Sequence, residues 1–132
     1  MLLLFTFHST VCMVVLLVGM IALIKFGLGY LRDEPFQVID GRLMAGFSVL
    51  LSLQVAFGIV FLLWNGISGT GFPAYRIMHG LPMLFALLVT RLSSRWKDAE
   101  DKTRLLNNLL VVFTALMLIF VGTAFLPGAL IR

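Results

Sequence analysis

Four apolar stretches, each close to the length that crosses a bilayer, constrain this chain more than any other feature. They cover about residues 2–24, 43–64, 74–92 and 105–126. A membrane-spanning helix needs about 20 mostly apolar residues, and only helices or closed barrels satisfy their backbone groups inside a bilayer. Four segments are too few to close a barrel, so the sequence predicts four transmembrane α-helices.

The composition agrees with a membrane protein and argues against a water-soluble one. Of the 132 residues, 61% are hydrophobic and 12% are charged, and the mean hydropathy is +1.07. A soluble domain is about 45–50% apolar and about 25% charged, and a small domain leaves much of its surface in water. We therefore expect neither a soluble enzyme, nor a disordered chain, nor a nucleic-acid-binding protein. The lipid bilayer is the expected environment.

The connections between the apolar stretches are short and rich in turn-forming or charged residues. Short connections place consecutive helices antiparallel to each other. The predicted fold is therefore all-α, an up-down four-helix bundle that forms a single domain over residues 1–132. We interpret the first stretch as a retained helix, because no basic region precedes it.

The basic residues predict the orientation of the bundle in the membrane. Eight of the ten lie on the side of the first and third connections. These eight are Lys25, Arg32, Arg42, Arg91, Arg95, Lys97, Lys102 and Arg104. Loops rich in lysine and arginine stay in the cytoplasm. We therefore expect both of these connections to be cytoplasmic and both termini to be extracytoplasmic.

The two histidines of the chain are the main candidates for a functional site. Counting from the helix starts at 1.5 Å per residue places His8 and His79 at a similar depth, about 7–11 Å below the outer boundary. Each lies on a stripe of smaller residues that is expected to face a neighbouring helix. The stripes are His8, Cys12, Val15 and Gly19 on helix 1 and His79, Met83, Ala86 and Thr90 on helix 3, and Asn108, Ala115 and Gly122 likewise share a face of helix 4. Helices 1 and 3 are diagonal in an up-down bundle, so both imidazoles would point inward. This arrangement predicts bis-histidine ligation of one haem near the outer face.

Three further residues are candidates for contacts with such a cofactor. Gly58 on helix 2 and Gly122 on helix 4 fall near the histidine layer, where positions without side chains leave room for a flat macrocycle. Gln54 shares the face of Gly58. Arg76 lies one turn outward of His79 and is a candidate partner for a haem propionate.

A second interpretation of the same residues involves no cofactor. Intramembrane histidines and glutamines often form hydrogen bonds between helices, and glycine is frequent in membrane helices in general. Arg76 would then be a solvated charge at the interface. Other chemistry is not indicated: the single cysteine, Cys12, excludes an internal disulfide, and two histidines alone are too few for a catalytic zinc site.

Short motifs along nearly the whole chain resemble those of a known family. The matching positions are His8-Ser9, Gly29-Tyr30-Leu31 with Phe36 and Asp40, Gln54 with Gly58, His79 with Met83, and Leu126-Pro127-Gly128. In this pattern the chain is similar to small four-helix bacterial membrane proteins labelled cytochrome b-like. Two places differ, because members often carry an arginine in the region of Val11-Cys12-Met13 and a histidine at the position of Ser52.

The resemblance implies a multi-pass protein of the bacterial inner membrane that binds haem b and transfers electrons. Two functions remain open at this point. The chain is either a b-type cytochrome-like electron-transfer protein or subunit, or a cofactor-free accessory subunit that packs against a larger respiratory or photosynthetic membrane complex. A chlorophyll-type pigment held by one of the histidines would be a variant of the first function.

Overall fold

A computed structural model describes residues 2–127 of the chain, and within this range it contains helices and no strand. The four long helices are α1 (Leu2–Leu31), α2 (Val38–Asn65), α3 (Ala74–Thr90) and α4 (Asp101–Ala124). A π-helical turn, Gly66–Thr70, continues α2, and a 3-10 helix, Arg91–Trp96, continues α3. Each of the four long helices, taken with its continuation, is long and apolar enough to cross a membrane. The predicted all-α four-helix fold is confirmed. Gly128, part of the last family motif, lies outside the described residues.

The helices pack in the order in which they occur along the chain. Each one contacts its sequence neighbours, and α4 completes the bundle against α1. Helices α1 and α3 are therefore diagonal, as expected of an up-down bundle. We call the end with residues 2 and 127 the terminal end, and the end with the α1–α2 and α3–α4 connections the loop end.

The α1–α2 connection is fixed by one buried carboxylate. The backbone N–H of Gln37 donates to Oδ2 of Asp40 across 2.8 Å, which caps the start of α2. The same carboxylate, 0% exposed, forms an ion pair of 3.1 Å with Lys25 of α1. Because Lys25 and Asp40 neutralise each other, both can lie within regular helix. Helices α1 and α2 therefore extend beyond the apolar stretches 2–24 and 43–64.

The connection from α2 to α3 depends on glycine. Gly69 and Gly71 have φ angles of 102° and 67°, in the left-handed region that favours glycine. Gly66 lies directly against the ring of Phe72, and a Cβ at this position would be 2.1 Å from Cζ of that ring. These three glycines allow the chain to reverse within a few residues at the terminal end.

The packed core lies in the middle and at the loop end of the bundle. Its largest fully buried apolar side chains are Phe26, Phe47, Leu51, Leu105 and Ile119. The stripes predicted from sequence spacing are buried on three helices: Val15 and Gly19 on α1, Met83, Ala86 and Thr90 on α3, and Asn108, Ala115 and Gly122 on α4. By contrast, none of residues 2–14 of α1 is buried.

Candidate functional site

The fold brings the two histidines together at the terminal end. His8 lies on α1 and His79 on α3, and the centroids of their rings are 6.4 Å apart with the ring planes at 74°. Both side chains are half-buried. Although the helices are diagonal, the imidazoles extend far enough toward the bundle axis to meet in an edge-on arrangement.

His79 is held in place by a backbone carbonyl of α4. Its Nδ1 lies 2.9 Å from the carbonyl oxygen of Gly122. Because a carbonyl only accepts, Nδ1 carries the proton and Nε2 keeps its lone pair. A hydrogen bond of this kind at one ring nitrogen typically orients an imidazole whose other nitrogen binds a metal.

Gly122 itself lies behind His79 and does not line the space next to it. A Cβ at this position would be 3.1 Å from the carbonyl oxygen of His79 and 3.1 Å from Cε of Met83. The missing side chain therefore allows α3 and α4 to approach closely. The sequence predicted a contact between Gly122 and a macrocycle, whereas the structure places Gly122 between α3 and α4. The bond from His79 to the backbone carbonyl of Gly122 could not be predicted, because every residue has such a carbonyl.

His8 is contacted by both polar and small residues of α2. Nε2 of Gln54 lies 3.2 Å from Nε2 of His8, so the amide donates to the ring when the imidazole is neutral with its proton on Nδ1. Nδ1 of His8 and Oε1 of Gln54 are both buried without a hydrogen-bond partner among the described residues. A Cβ on Gly58 would lie 3.2 Å from Cε1 of His8, so this glycine makes room for the ring. Gln54 was singled out from sequence, but its pairing with His8 was not.

A cavity of about 450 Å³ opens beside the two histidines, between α2 and α3. We call it the terminal-end cavity. Its walls are mostly apolar, and the polar or small residues that line it include His8, Gln54, Gly58, Arg76 and His79. Binding sites for small molecules and cofactors commonly measure about 300–1,000 Å³ and combine apolar walls with a few polar groups.

Arg76 contributes a positive charge to this cavity. Its guanidinium carbon lies 5.9 Å from the ring centroid of Phe61 and 5.7 Å from that of Tyr75. These aromatic faces stabilise the cation at the edge of the apolar space. The sequence predicted Arg76 near the histidines, but the two aromatic partners come from the packing of α2 against α3.

The geometry of the two histidines can be compared with that of a haem site. With metal–nitrogen bonds of about 2 Å, two imidazoles on one ion have ring centroids about 6 Å apart, which agrees with the 6.4 Å between His8 and His79. Nε2 of His79 is not used in a hydrogen bond, and in the neutral ring it keeps a lone pair that can bind a metal. Nδ1 of His8 carries the proton while the Gln54 amide donates to Nε2, so His8 could bind a metal through Nδ1 only with the amide turned to accept from a protonated Nε2. Within residues 2–127, no three or more His, Cys, Asp or Glu side chains cluster as metal ligands. The candidate ligands that the described residues bring together here are therefore the two histidines.

Comparison with known proteins gives no match: no family model, no curated protein and no solved structure is similar to this chain. The resemblance to cytochrome b-like membrane proteins therefore stays a prediction that depends on the short motifs. The site is defined by its own geometry.

Proposed function

We propose that this chain is a small membrane-embedded b-type cytochrome-like electron-transfer protein or subunit, in which His8 and His79 would hold one haem b. The observation that carries the proposal is the 6.4 Å separation of the chain's two histidine rings beside an apolar cavity of about 450 Å³. A shared ligand would account for the meeting of two imidazoles from diagonal helices. This proximity favours a shared ligand.

The chain's own residues would hold and tune the cofactor. The Gly122 carbonyl orients His79, Gln54 holds His8, and Gly58 leaves space beside the His8 ring. The apolar walls exclude water, and the Arg76 cation is placed to neutralise an acidic group such as a propionate. When bound, haem supplies reversible one-electron chemistry at its iron, whose potential depends on axial ligands, hydrogen bonds and burial.

The experiment is a reduced-minus-oxidised absorption spectrum of the purified protein, expressed with haem available. We expect a b-type α band at about one haem per chain, lost in both His8→Ala and His79→Ala. Cys12→Ala is the matched control, because Cys12 lies one turn from His8 and is half-buried but does not line the terminal-end cavity. A folded wild-type protein without the band would contradict the proposal.

A second candidate function is a cofactor-free accessory subunit of a larger respiratory or photosynthetic membrane complex. It is favoured by the fact that each histidine already has a protein partner, Gln54 or Gly122. Co-purification of a stable complex without a haem band would support this function. Pigment extraction from the same preparation tests the variant in which one histidine holds a chlorophyll-type pigment.

We also propose that the loop end faces the cytoplasm of a bacterial cell and the terminal end faces outward. Eight of the ten basic residues belong to the loop-end side, together with all six acidic residues. Lysine and arginine, not net charge, determine the side of a short loop. A reporter active only in the cytoplasm should work when inserted after Asp98 and fail when fused to the N-terminus; the reverse pattern would overturn this orientation.

A further inference from the structure

A second cavity, of about 180 Å³, lies at the loop end, between the start of α2, the 3-10 helix and the start of α4. We call it the loop-end cavity. Half of the residues that line it have hydrogen-bonding or cationic side chains: Ser93, Ser94, Lys97, Arg104 and Asn108. The other half are apolar, aromatic or glycine, so the loop-end cavity is richer in polar groups than the terminal-end cavity but is not wholly polar.

Asn108 is the unusual residue of the loop-end cavity. It lies two turns inside α4 and is only 5% exposed, yet its Oδ1 has no hydrogen-bond partner among the described residues. A buried polar atom without a partner costs about 1–3 kcal/mol. Because an amide oxygen only accepts, a ligand that satisfies it must provide a donor such as a hydroxyl group.

The charge that lines the loop-end cavity is positive. Arg104 lies one turn before Asn108 on the same face of α4, and its guanidinium carbon is 3.7 Å from the ring centroid of Phe36. Lys97 adds a second cation. Among the described residues, none of those that line the cavity is acidic, although Asp98, Glu100 and Asp101 are close in sequence.

We propose that the loop-end cavity binds a phosphate-type oxyanion that also carries a hydroxyl group. Arg104 and Lys97 bind the oxyanion through charge-assisted hydrogen bonds, the hydroxyl of Ser93 donates to it, and Oδ1 of Asn108 accepts from the ligand hydroxyl. At about 10–15 Å³ of such space per water molecule, the cavity has room for a phosphoglycerol-sized group. The cavity lies at the end of the spanning helices, where both lipid headgroups and soluble molecules are present. The ligand could therefore be the headgroup of phosphatidylglycerol or a soluble phosphate ester.

The test uses the full chain in phosphatidylcholine nanodiscs, with glycerol 3-phosphate as the soluble probe and phosphatidylglycerol as the lipid probe. Binding of the first is followed by ³¹P NMR line broadening, and retention of the second by native mass spectrometry. Arg104→Gln should weaken binding about tenfold, since it removes a charge-assisted hydrogen bond. Lys102→Gln is the matched control, because it removes the same charge from the same helix but does not line the cavity.

The two probes distinguish the sources, since a preference for either supports the site and identifies where its ligand comes from. Lys97→Gln is a second variant on an exposed side chain, so the test does not depend on the folding of Arg104→Gln. Binding of neither probe, or equal weakening by Arg104→Gln and Lys102→Gln, would overturn the proposal. The result does not depend on the haem proposal, because no variant touches the histidine end.

Discussion

The two ends of the bundle solve the same packing problem in opposite ways. At the loop end, Phe26 and Phe47 are fully buried, and the Asp40 carboxylate is bonded to both the Gln37 backbone and Lys25. Toward the terminal end a cavity of about 450 Å³ opens instead, lined mainly by α2 and α3. His8 and Gln54 border it, and each has a buried polar atom without a hydrogen-bond partner among the described residues.

This difference lies in the balance between tight packing and open space. Lipid is as apolar as leucine, so membrane helices associate through close packing and hydrogen bonds and gain little from hydrophobic burial. Both ends keep a cavity and a buried polar atom without a hydrogen-bond partner among the described residues, but the larger cavity is at the terminal end, and the large fully buried side chains lie in the middle and at the loop end. We therefore expect the middle and the loop end to contribute most of the stability, and the terminal end to have the most room for a ligand.

The largest expected effect is loss of stability when the loop-end ion pair is broken. Asp40→Asn removes the charge that pairs with Lys25 and leaves a buried amide without that partner, so we expect unfolding to become easier by about 2–3 kcal/mol. Tm in detergent and SDS titration measure this change. Asp33→Asn is the matched control: it also removes one negative charge, but Asp33 is exposed, pairs with exposed Lys102, and has a positive φ that asparagine tolerates.

An equal loss of Tm in Asp33→Asn and Asp40→Asn would show that net charge and not the buried pair stabilises the loop end. The assignment of stability to this end would then be wrong. Haem content should stay unchanged in Asp33→Asn, since the residue lies at the end opposite the histidines.

Filling the terminal-end cavity should have the reverse effect, abolishing binding while keeping the fold. In Gly58→Leu the new side chain starts 3.2 Å from Cε1 of His8 and enters the terminal-end cavity. We expect haem incorporation to fall at least about tenfold, with little loss of Tm because space is filled and no packed core is disturbed. Gly46→Leu is the control, because no heavy atom lies within 4 Å of a Cβ there. Equal haem content in both variants would contradict this assignment of the site.

Sequence patterns predicted the helices from the length of the apolar stretches, and their inward faces from the spacing of small and polar residues. The spacing of His79, Met83, Ala86 and Thr90 indicated one stripe, and α3 buries the last three while the histidine is half-buried. The helix ends were less accurate. An apolar stretch marks the segment that crosses the bilayer and not the end of the helix. Helix α1 continues past Lys25 to Leu31, because the charge of Lys25 is paired with Asp40.

The details of the candidate site were harder to predict, because they depend on atoms that a sequence pattern does not describe. The bond from His79 uses the backbone carbonyl of Gly122, which any residue would provide. The cavity results from the separation of α2 and α3, and no residue type encodes that distance. The loop-end cavity was also missed, because the spacing places Asn108 on an inward face of helix 4 but does not show that its amide oxygen lacks a hydrogen-bond partner among the described residues.

A smaller effect is expected at the close approach of α3 and α4. In Gly122→Ala the added Cβ would be 3.1 Å from the carbonyl oxygen of His79, a backbone atom that moves only with its helix. We expect a loss of about 1 kcal/mol by SDS titration, together with a shifted haem band because the His79 ring loses its alignment. Gly27→Ala, where the nearest atom is Leu109 Cδ1 at 3.8 Å, should be neutral or slightly stabilising. If Gly122→Ala and Gly27→Ala lost similar amounts of stability, the loss would come from replacing any helix glycine and not from the close approach of α3 and α4.

Gln54→Leu should have the smallest effect on stability. It is also the most informative comparison of the two ends. This change removes the hydrogen bond of 3.2 Å to His8. Hydrogen bonds between membrane helices average about 0.6 kcal/mol, so Tm should hardly move. If His8 binds haem, the loss of its polar neighbour should change the midpoint potential by redox titration, since hydrogen bonds near an axial ligand tune the iron.

The Gln54→Leu result separates a structural histidine from a ligand. A packing role predicts a small loss of stability and no redox signal to change. Ser48→Ala is the matched control, because it removes a hydrogen bond of 3.0 Å between α2 and Thr90 of α3 in the packed part of the bundle. The ligand role requires a shifted potential in Gln54→Leu and an unshifted one in Ser48→Ala. Equal shifts in both would mean that the two parts of the bundle are coupled and that stability and function are not separated along it.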